Sequence, residues 1–507
     1  MTTKKRRPHS AAPRPGGRVT AAALALTGLL AGAGCSGDPQ AAAPGGPVVT
    51  AVPAAVSPTA PSPTAVSPSV SYPAGSPGSP GSGSPGGTGS PGATGSPSAT
   101  GSASPSGSAS PSGSASPSGS ASPSGSASPS GSAGPSGSAS ASGGGVVALT
   151  PDVTAKLDDA VKQVLSQASV PGVIVGLTTP GGSYQRAFGV SDKVAGTPMV
   201  TGLNMRIGSV TKTFTVTGLL RLVDAGKAGL DDPVSAYVPD VPNGDAITLR
   251  QLAGMRSGLF PYTSDPDFTQ AVIGDPNRVF TPQQLLAYSF KHPANFAPGA
   301  RFEYSNTNTV LLGLVVEKLS GQSLGDYLKQ QVFDPAGLNR TVFPTDASFP
   351  QPHARGYTNQ TPDGSVTDAT DWNPSWAWAA GAVISDLSDL QAWAKELATG
   401  SLLSPATQAE RLKSLPTSSA DIGYGLGVFS NHGWIGHNGS LPGYQSLTVY
   451  LPQAQATLVV LLNTDISYQG EEPSTLFGQA ITKIVSPGNV YSFPPATASN
   501  SPSPEVA

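Results

Sequence analysis

A long segment of small and turn-forming residues limits which part of this chain can fold. From Ser36 to Gly145 the chain is almost entirely Gly, Ser, Pro, Ala and Thr, and between Ser102 and Gly137 it repeats Ser-Ala-Ser-Pro-Ser-Gly. Such a composition cannot bury an apolar core, and a six-residue period is too short for a helical or propeller repeat. We therefore expect residues 36–145 to form a disordered tether.

The beginning of the chain has the pattern of an export signal. Basic residues at positions 4–7 precede an apolar run from Val19 to Leu30, which is too short to span a bilayer permanently. Cys35 follows Ala31-Gly32-Ala33-Gly34, the position at which a bacterial lipoprotein carries its lipid-modified cysteine. Residues 1–35 are therefore predicted to be a lipoprotein-type signal peptide, and the protein to be anchored to the cell membrane, facing the cell wall. Simple cleavage after Ala33, which would give a secreted protein, is the alternative.

Composition excludes several classes of function. The net charge is −3 and only 11 % of the residues are charged, so there is no basic field of the kind that nucleic-acid binding requires. With one cysteine the chain can form no internal disulfide and no cysteine-rich zinc site. No spacing of His, Asp, Glu or Cys indicates a metal site. We expect no cofactor, no metal, no nucleic-acid partner and a monomer.

The patterns between residues 146 and 486 predict one α+β domain. Two strand-like runs separated by Pro180-Gly181-Gly182 indicate a β-hairpin near the start, and strands return at 446–450 and 457–462. Helical patterns fill residues 245–400 between them. We therefore expect an antiparallel β-sheet flanked by helices, with an inserted, mostly helical subdomain and a site between the two. Residues 487–507 are predicted to be a disordered tail.

Three short motifs follow one another in this domain. Ser209 and Lys212 stand at i and i+3, so on a helix the amine can reach the hydroxyl. Tyr304 and Asn306 stand at i and i+2 in a loop and can point the same way. His437-Asn438-Gly439-Ser440 leads into a strand, where glycine allows a substrate to lie against the backbone.

In this order the motifs identify a family resemblance that spans about residues 150–485. The chain resembles the serine hydrolases built like class C β-lactamases and D-alanyl-D-alanine carboxypeptidases, whose pattern is Ser-x-x-Lys, Tyr-x-Asn and Lys-or-His-x-Gly. The resemblance implies a β-lactamase/transpeptidase-like fold. It also implies a hydrolysis that passes through an acyl-enzyme.

The resemblance also implies roles for individual residues. Ser209 is expected to be the acylated nucleophile, Lys212 its base and Tyr304 a proton relay to the leaving group and from the attacking water. Asn306 would bind the acyl side chain, and His437 would add polarity, or positive charge when protonated. The N–H groups of Ser209 and Ser440, beside Gly439, would form the oxyanion hole. Trp376, Phe260 and Tyr262 are candidate residues of the cleft wall.

The substrate is less well specified by the sequence. The family pattern of the carboxypeptidases has an arginine shortly after Tyr-Gly-Leu-Gly, which meets a terminal carboxylate, but Val428-Phe429-Ser430 follows that motif in this chain. Export and a long tether favour a cell-wall peptide, and a D-alanyl-D-alanine carboxypeptidase-type activity is the leading hypothesis. A broad-specificity esterase and a β-lactamase are alternatives. A penicillin-binding sensor or wall-anchoring protein with vestigial hydrolysis is the non-enzymatic alternative.

The lipoprotein hypothesis predicts that Cys35→Ser moves the full chain from the membrane fraction of a bacterial host into the soluble fraction, because the thiol that carries the lipid is lost. Immunoblots of the two fractions measure this, and Ser36→Ala is the matched control that should stay with the membrane. A wild-type protein that is already soluble, or a Cys35→Ser variant that remains in the membrane fraction, would contradict the hypothesis.

Overall fold

The computed structural model describes residues 145–493. The predicted signal peptide with Cys35, the tether up to residue 144 and the tail from residue 494 lie outside the described residues. Within residues 145–493, no helix is both long enough and apolar enough to cross a membrane.

A nine-stranded antiparallel sheet forms the centre of the domain, as the sequence predicted. Its strands, from one edge to the other, are β3 (Thr197–Pro198), β2 (Gly182–Asp192), β1 (Gly172–Thr179), β13 (Ala456–Leu462), β12 (Tyr444–Leu451), β11 (Trp434–Leu441), β10 (Phe429–Asn431), β9 (Ile422–Tyr424) and β8 (Leu415–Pro416). The first and last long strands are neighbours, with Val175 opposite Val460. The sheet is therefore assembled from segments about 280 residues apart in sequence. Two small two-stranded sheets pair β4 (Met205–Arg206) with β7 (Ile384–Ser385) and β5 (Tyr357–Thr358) with β6 (Thr367–Asp368).

Helices cover both faces of this sheet. One face packs on α1 (Pro151–Gln167) and α10 (Pro473–Val485), and the other on α8 (Leu387–Thr399). Successive strand residues divide between the two cores: Val173 and Val175 belong to the cluster that contains Leu157 and Phe477, whereas Ile174 belongs to the other. Every residue of β13 is buried, as expected for a strand that is covered on both faces.

The helical insertion lies between β2 and β8. Its helices are α2 (Thr211–Asp224), α3 (Leu249–Ala253), α4 (Pro266–Gly274), α5 (Pro282–Phe290), α6 (Asn306–Ser320), α7 (Leu324–Leu328), α8 and α9 (Pro405–Leu412). Local sequence fixes several of their starts. Thr248 and Thr281 each form a capping box with the glutamine three residues later, and proline occupies the first turn of α5. The helices α2 and α6 pack against each other and bring the first two motifs together.

Two boundaries predicted from the sequence are wrong. The His437–Ser440 motif lies inside β11, which begins at Trp434, rather than before a strand; glycines within this strand weaken its sequence pattern. The folded domain extends to residue 493 rather than 486. Tyr491 is buried, its N–H bonds Thr482 Oγ1 at 2.9 Å, and the Trp434 indole donates to the carbonyl of Asn489 at 2.7 Å. These contacts fix the segment that was predicted to be disordered.

Trp393 of α8 joins the central helix α2 to the layer that covers the sheet. Its side chain is fully buried, stacks on Phe214 with ring centroids 4.2 Å apart and donates from Nε1 to Thr213 Oγ1 at 2.8 Å. Removal of this ring leaves a large cavity beside the Ser209–Lys212 helix and takes away the indole donor of the buried Thr213 hydroxyl, which keeps its own bond to the Val210 carbonyl at 2.7 Å.

We predict that Trp393→Ala lowers the free energy of unfolding by about 3–5 kcal/mol, the usual cost of truncating a buried tryptophan. Urea denaturation followed by circular dichroism measures the change. Val194→Ala is the control, because this side chain is 94 % exposed and should change stability by no more than about 0.5 kcal/mol. A loss below about 1 kcal/mol for Trp393→Ala would show that α2 and α8 are not packed as described.

Candidate active site

The backbone places Ser209 in a turn directly before α2. Gly208–Val210 form a turn of 3₁₀-helix that runs into α2, and Gly208 has φ of +52°, a conformation that favours glycine. Ser209 is partly exposed, whereas Thr211 and Lys212 are buried. Ser209 is therefore partly accessible to solvent, while the amine three residues later is enclosed.

Lys212 is a buried lysine without an acidic partner. Its side chain is completely buried, Nζ lies 2.9 Å from Ser209 Oγ, and Nζ donates to the carbonyl of Ala380 at 2.8 Å. None of the ion pairs found within residues 145–493 includes Lys212. Burial lowers the pKa of Lys212 well below its ordinary value, because the charged form loses its hydration. In its neutral form, the amine next to Ser209 is suited to take the proton of the hydroxyl.

Tyr304 lies on the other side of this amine. The Lys212 nitrogen is 4.9 Å from the centroid of the Tyr304 ring. The phenol oxygen is buried and has no hydrogen-bond partner of good geometry among the described residues. Burial raises the pKa of Tyr304 far above its ordinary value, and the nearby Ser209 hydroxyl opposes this only in part. Tyr304 is therefore a neutral phenol beside Ser209 and Lys212.

His437 is neutral in this structure and not a cation. Its Nδ1 lies 2.5 Å from the carbonyl oxygen of Asn438, and its Nε2 lies 3.2 Å from the hydroxyl of Tyr424. Nδ1–H therefore donates to the carbonyl, and Nε2 accepts from the phenol. Burial, together with the positive charge that Lys212 can carry, lowers the pKa of His437 to about 3. Of the two possibilities left open by the sequence, polarity without charge is the one that this environment favours.

The backbone of the His437–Ser440 motif in β11 lies in close contact with the turn Gly208–Val210. A Cβ at Gly439 would lie 2.0 Å from the Ile207 carbonyl oxygen and 2.8 Å from the Ser209 nitrogen, and a Cβ at Gly208 would lie 2.7 Å from the Ser440 nitrogen. Only glycine fits at these two positions. The arrangement brings the backbone nitrogens of Ser209 and Ser440 into one small region, as an oxyanion hole requires.

Asn306 is the first residue of α6 rather than part of a loop. Its Nδ2 lies 3.4 Å from Thr263 Oγ1 and its side chain is only partly buried. The amide is thus held by one weak contact and keeps further hydrogen-bonding capacity for another partner.

The three aromatic candidates for the cleft wall have different surroundings. Tyr262 is completely buried and donates to the carbonyl of Trp376 at 2.8 Å, and Trp376 packs near Phe268 in the core with only 7 % of its surface exposed. Tyr262 therefore lies beneath the cleft, and Trp376 is mainly a core residue, which corrects the prediction for both. Phe260 is partly exposed and stacks on His292 with ring centroids 3.9 Å apart.

Sequence reasoning gave no role to three groups that touch the site. Ala380 supplies the carbonyl that holds Lys212, and Tyr424 supplies the hydroxyl that holds His437. Phe429 lies with its ring nearly parallel to Tyr304 at 6.3 Å and is 4.9 Å from His437. No arginine follows the Tyr424 motif, and in its place the ring of Phe429 lies against Tyr304 and His437.

Comparisons with known proteins show the family to which the domain belongs. A model of the family described as Beta-lactamase matches residues 157–477. Protein flp of Staphylococcus aureus (strain N315) is 28 % identical over 341 residues, which cover 63 % of this chain and 65 % of that protein. Penicillin-binding protein 4* of Bacillus subtilis (strain 168) is 27 % identical over 329 residues, which cover 61 % of this chain and 70 % of that protein.

Two solved structures of amide hydrolases are also similar to this chain. A D-stereospecific amidohydrolase from Streptomyces sp. is 31 % identical with a TM-score of 0.57, and the match covers 62 % of this chain and 94 % of that one. The D-amino acid amidase from Ochrobactrum anthropi SV3 is 27 % identical with a TM-score of 0.59, and the match covers 66 % and 97 %. The predicted β-lactamase/transpeptidase-like fold is confirmed. This chain belongs to the beta-lactamase family, whose members are serine hydrolases.

Proposed function

We propose that this protein hydrolyses amide or ester bonds of small D-amino-acid derivatives through an acyl-enzyme on Ser209. The observation that carries the proposal is the buried Lys212 amine, which lies 2.9 Å from Ser209 Oγ, has no acidic partner among residues 145–493 and has the Tyr304 phenol beside it. A neutral lysine is a base strong enough to activate a serine hydroxyl. The neutral phenol is a proton donor within the same group.

Acylation follows from these positions. Lys212 Nζ takes the proton of Ser209 as Oγ attacks the substrate carbonyl carbon, and the backbone N–H groups of Ser209 and Ser440 receive the negative charge that develops on the carbonyl oxygen. Collapse of the tetrahedral intermediate breaks the bond to the leaving group. The Tyr304 hydroxyl gives that group its proton and regains one from the Lys212 ammonium, so the amine is neutral again.

Deacylation uses the same residues in the reverse direction. A water molecule enters on the side that the leaving group has vacated and attacks the acyl carbon. Tyr304 and Lys212 take its proton and return one to Ser209 Oγ as the ester bond breaks. The Asn306 amide, which is held only by the 3.4 Å contact to Thr263, is available to bind the acyl part of the substrate throughout.

The choice of D-amino-acid substrates rests on two kinds of support. Two similar solved structures are named for D-stereospecific amide hydrolysis. In this chain the wall beside Tyr304 is formed by Tyr424, Phe429 and a neutral His437, which give a leaving group aromatic surface and no fixed positive charge. Such a wall favours an amide or an ester over a free carboxylate, which loses its hydration without gaining an ionic partner.

A D-alanyl-D-alanine carboxypeptidase-type activity is the second candidate. It is supported by the similarity to a relative named as a penicillin-binding protein and by the predicted export signal and tether. Its substrate ends in a carboxylate, for which the Phe429 wall has no cation. A broad esterase or β-lactamase activity uses the same residues. A penicillin-binding sensor would use the same residues for acylation but would release the acyl group slowly. We also propose that the protein is exported and anchored through Cys35, which is supported by the sequence pattern of residues 1–35.

We predict that kcat/KM for an uncharged p-nitrophenyl ester rises with pH as Lys212 loses its proton, and that His437→Asn leaves the midpoint of this rise unchanged. The reason is that the pKa of His437 is about 3 rather than 6.5, so it does not titrate in the working range. Stopped-time assays across the pH range measure the profile. A rise centred near 6.5 that disappears in His437→Asn would assign the base to the histidine instead.

A second prediction concerns the aromatic wall. The wild-type protein should have a higher kcat/KM for D-phenylalanine amide than for a peptide that ends in D-Ala-D-Ala. Phe429→Arg should shift the ratio of these two values towards the carboxylate substrate by about 10-fold, because an arginine can pair with the carboxylate. Penicillin labelling without turnover of either substrate would instead support the sensor.

The matched control for this substitution is Phe429→Leu, which removes the ring without adding charge and should not shift the ratio towards the peptide. Circular dichroism melts check that both variants fold. If the wild-type protein already cleaves the D-Ala-D-Ala peptide better than the amide, or if Leu and Arg at position 429 have the same effect, the aromatic wall does not set the preference.

A further inference from the structure

A cavity outside the catalytic residues has the chemistry of an anion site. Its volume is about 530 Å³, which lies in the range of pockets that hold small molecules. It lies where α3, the turn at Gly299, α9 and the strands β8 and β9 meet. Its lining residues are Arg250, Gln251, Gly254, Arg256, Gly299, Glu410, Lys413, Leu415, Tyr424, Gly425 and Leu426.

Two of the three cations that line this cavity have no acidic partner among residues 145–493. Arg250 already has acidic partners, because it pairs with Asp231 at 2.8 Å and with Glu410. Glu410 is the acidic residue in the described lining of the cavity. Arg256 and Lys413 occur in none of the ion pairs. The cavity therefore contains an excess of positive charge in a protein whose net charge is −3.

The hydrogen-bonding capacity of Arg256 is also largely unused. Its Nη2 donates to the carbonyl of Pro416 at 2.7 Å, but its Nε is buried and has no hydrogen-bond partner within the described range 145–493. A guanidinium held by one neutral carbonyl keeps a planar set of donors that matches a carboxylate or phosphate. Such donors are usually satisfied when they are buried, so an unpaired one indicates a missing partner.

The same backbone connects Arg256 to the catalytic segment. Met255 has φ of +58°, which is uncommon for a residue with a side chain, and its carbonyl accepts from the N–H of Glu303 at 2.9 Å, directly before Tyr304. The carbonyl of Arg256 accepts from Gly299 at 2.8 Å. Tyr424 lines the cavity, and its hydroxyl contacts His437. The side chain of Tyr424 thus reaches from the lining of the cavity to His437.

We propose that this cavity is a binding site for a small oxyanion-bearing molecule, with Arg256 and Lys413 as the groups that bind the anion. The shared chemistry is a carboxylate or a phosphate attached to a short apolar portion, which would contact Leu415, Leu426 and the ring of Tyr424. This site is distinct from the place where the acyl group and the leaving group bind. The proposal does not depend on which bond the enzyme hydrolyses.

Isothermal titration calorimetry of the full-length protein with glutarate and with inorganic phosphate, in separate titrations at low salt, tests the proposal. At least one probe should bind. Arg256→Gln and Lys413→Gln should each weaken that binding about 10-fold, which is the typical effect of losing one hydrogen-bonded charge. Glutarate binding identifies a carboxylate ligand, phosphate binding a phosphate ligand, and both should weaken as salt is added.

Two matched variants control for a general loss of positive charge. Arg278→Gln and Lys156→Gln remove exposed cations that do not line the cavity, and they should bind the probe as the wild-type protein does. Lys413 is exposed, so its variant retains the fold even if Arg256→Gln does not. Failure of both probes to bind at millimolar concentration, or equal affinity in the Lys413→Gln variant and the controls, would overturn the proposal.

Discussion

Enclosure of the Lys212 amine is the interaction on which the rest of the site depends. A lysine that loses its water without gaining a carboxylate has a lowered pKa, and its neutral form is suited to act as a base. The same burial opposes folding. Because the folded pKa is lower than the ordinary 10.5, the unfolded chain binds more protons between the two values, and stability falls as pH falls through that window. Packing around α2 has to offset this cost.

The threonines of α2 show how that packing is achieved. Thr215 donates to the carbonyl of Ala379 at 2.8 Å, Thr211 accepts from the N–H of Val383 at 3.1 Å, and Thr213 accepts from Trp393. These bonds set the register of α2 against the segment 379–383. That segment also supplies the Ala380 carbonyl to Lys212, so the fold that satisfies the buried threonines also positions the base.

The second feature of the site is that its surroundings are aromatic and neutral. Tyr424, Phe429 and Phe302 surround the ring of Tyr304, and His437 is held uncharged among them. Low polarity there strengthens the hydrogen bonds that form when charge develops on the substrate. The low polarity also disfavours binding of a charged substrate. The same aromatic wall that supports the reaction therefore favours the uncharged amides and esters proposed as substrates.

The parts of the site that depend on local sequence could be predicted from the sequence. Ser209 and Lys212 share a helix turn, and the hairpin at residues 172–192 follows from its two strand-like runs and the turn residues between them. The position of Phe429 against Tyr304 depends on the pairing of β10 with β9 and β11 and on helix packing over 125 residues, which no local pattern reports. The neutrality of His437 and the burial of Tyr262 likewise depend on tertiary surroundings.

The most direct test of this account is to find where an acyl group becomes attached. The protein is mixed with a slowly hydrolysed penicillin, quenched in acid and digested, and the peptides are analysed by tandem mass spectrometry. The account predicts a mass increase equal to the whole β-lactam on Ser209, and no adduct in Lys212→Gln at the same early time, because the neutral amine drives acylation. An adduct on any other residue, or undiminished labelling of Ser209 without the lysine, would contradict it.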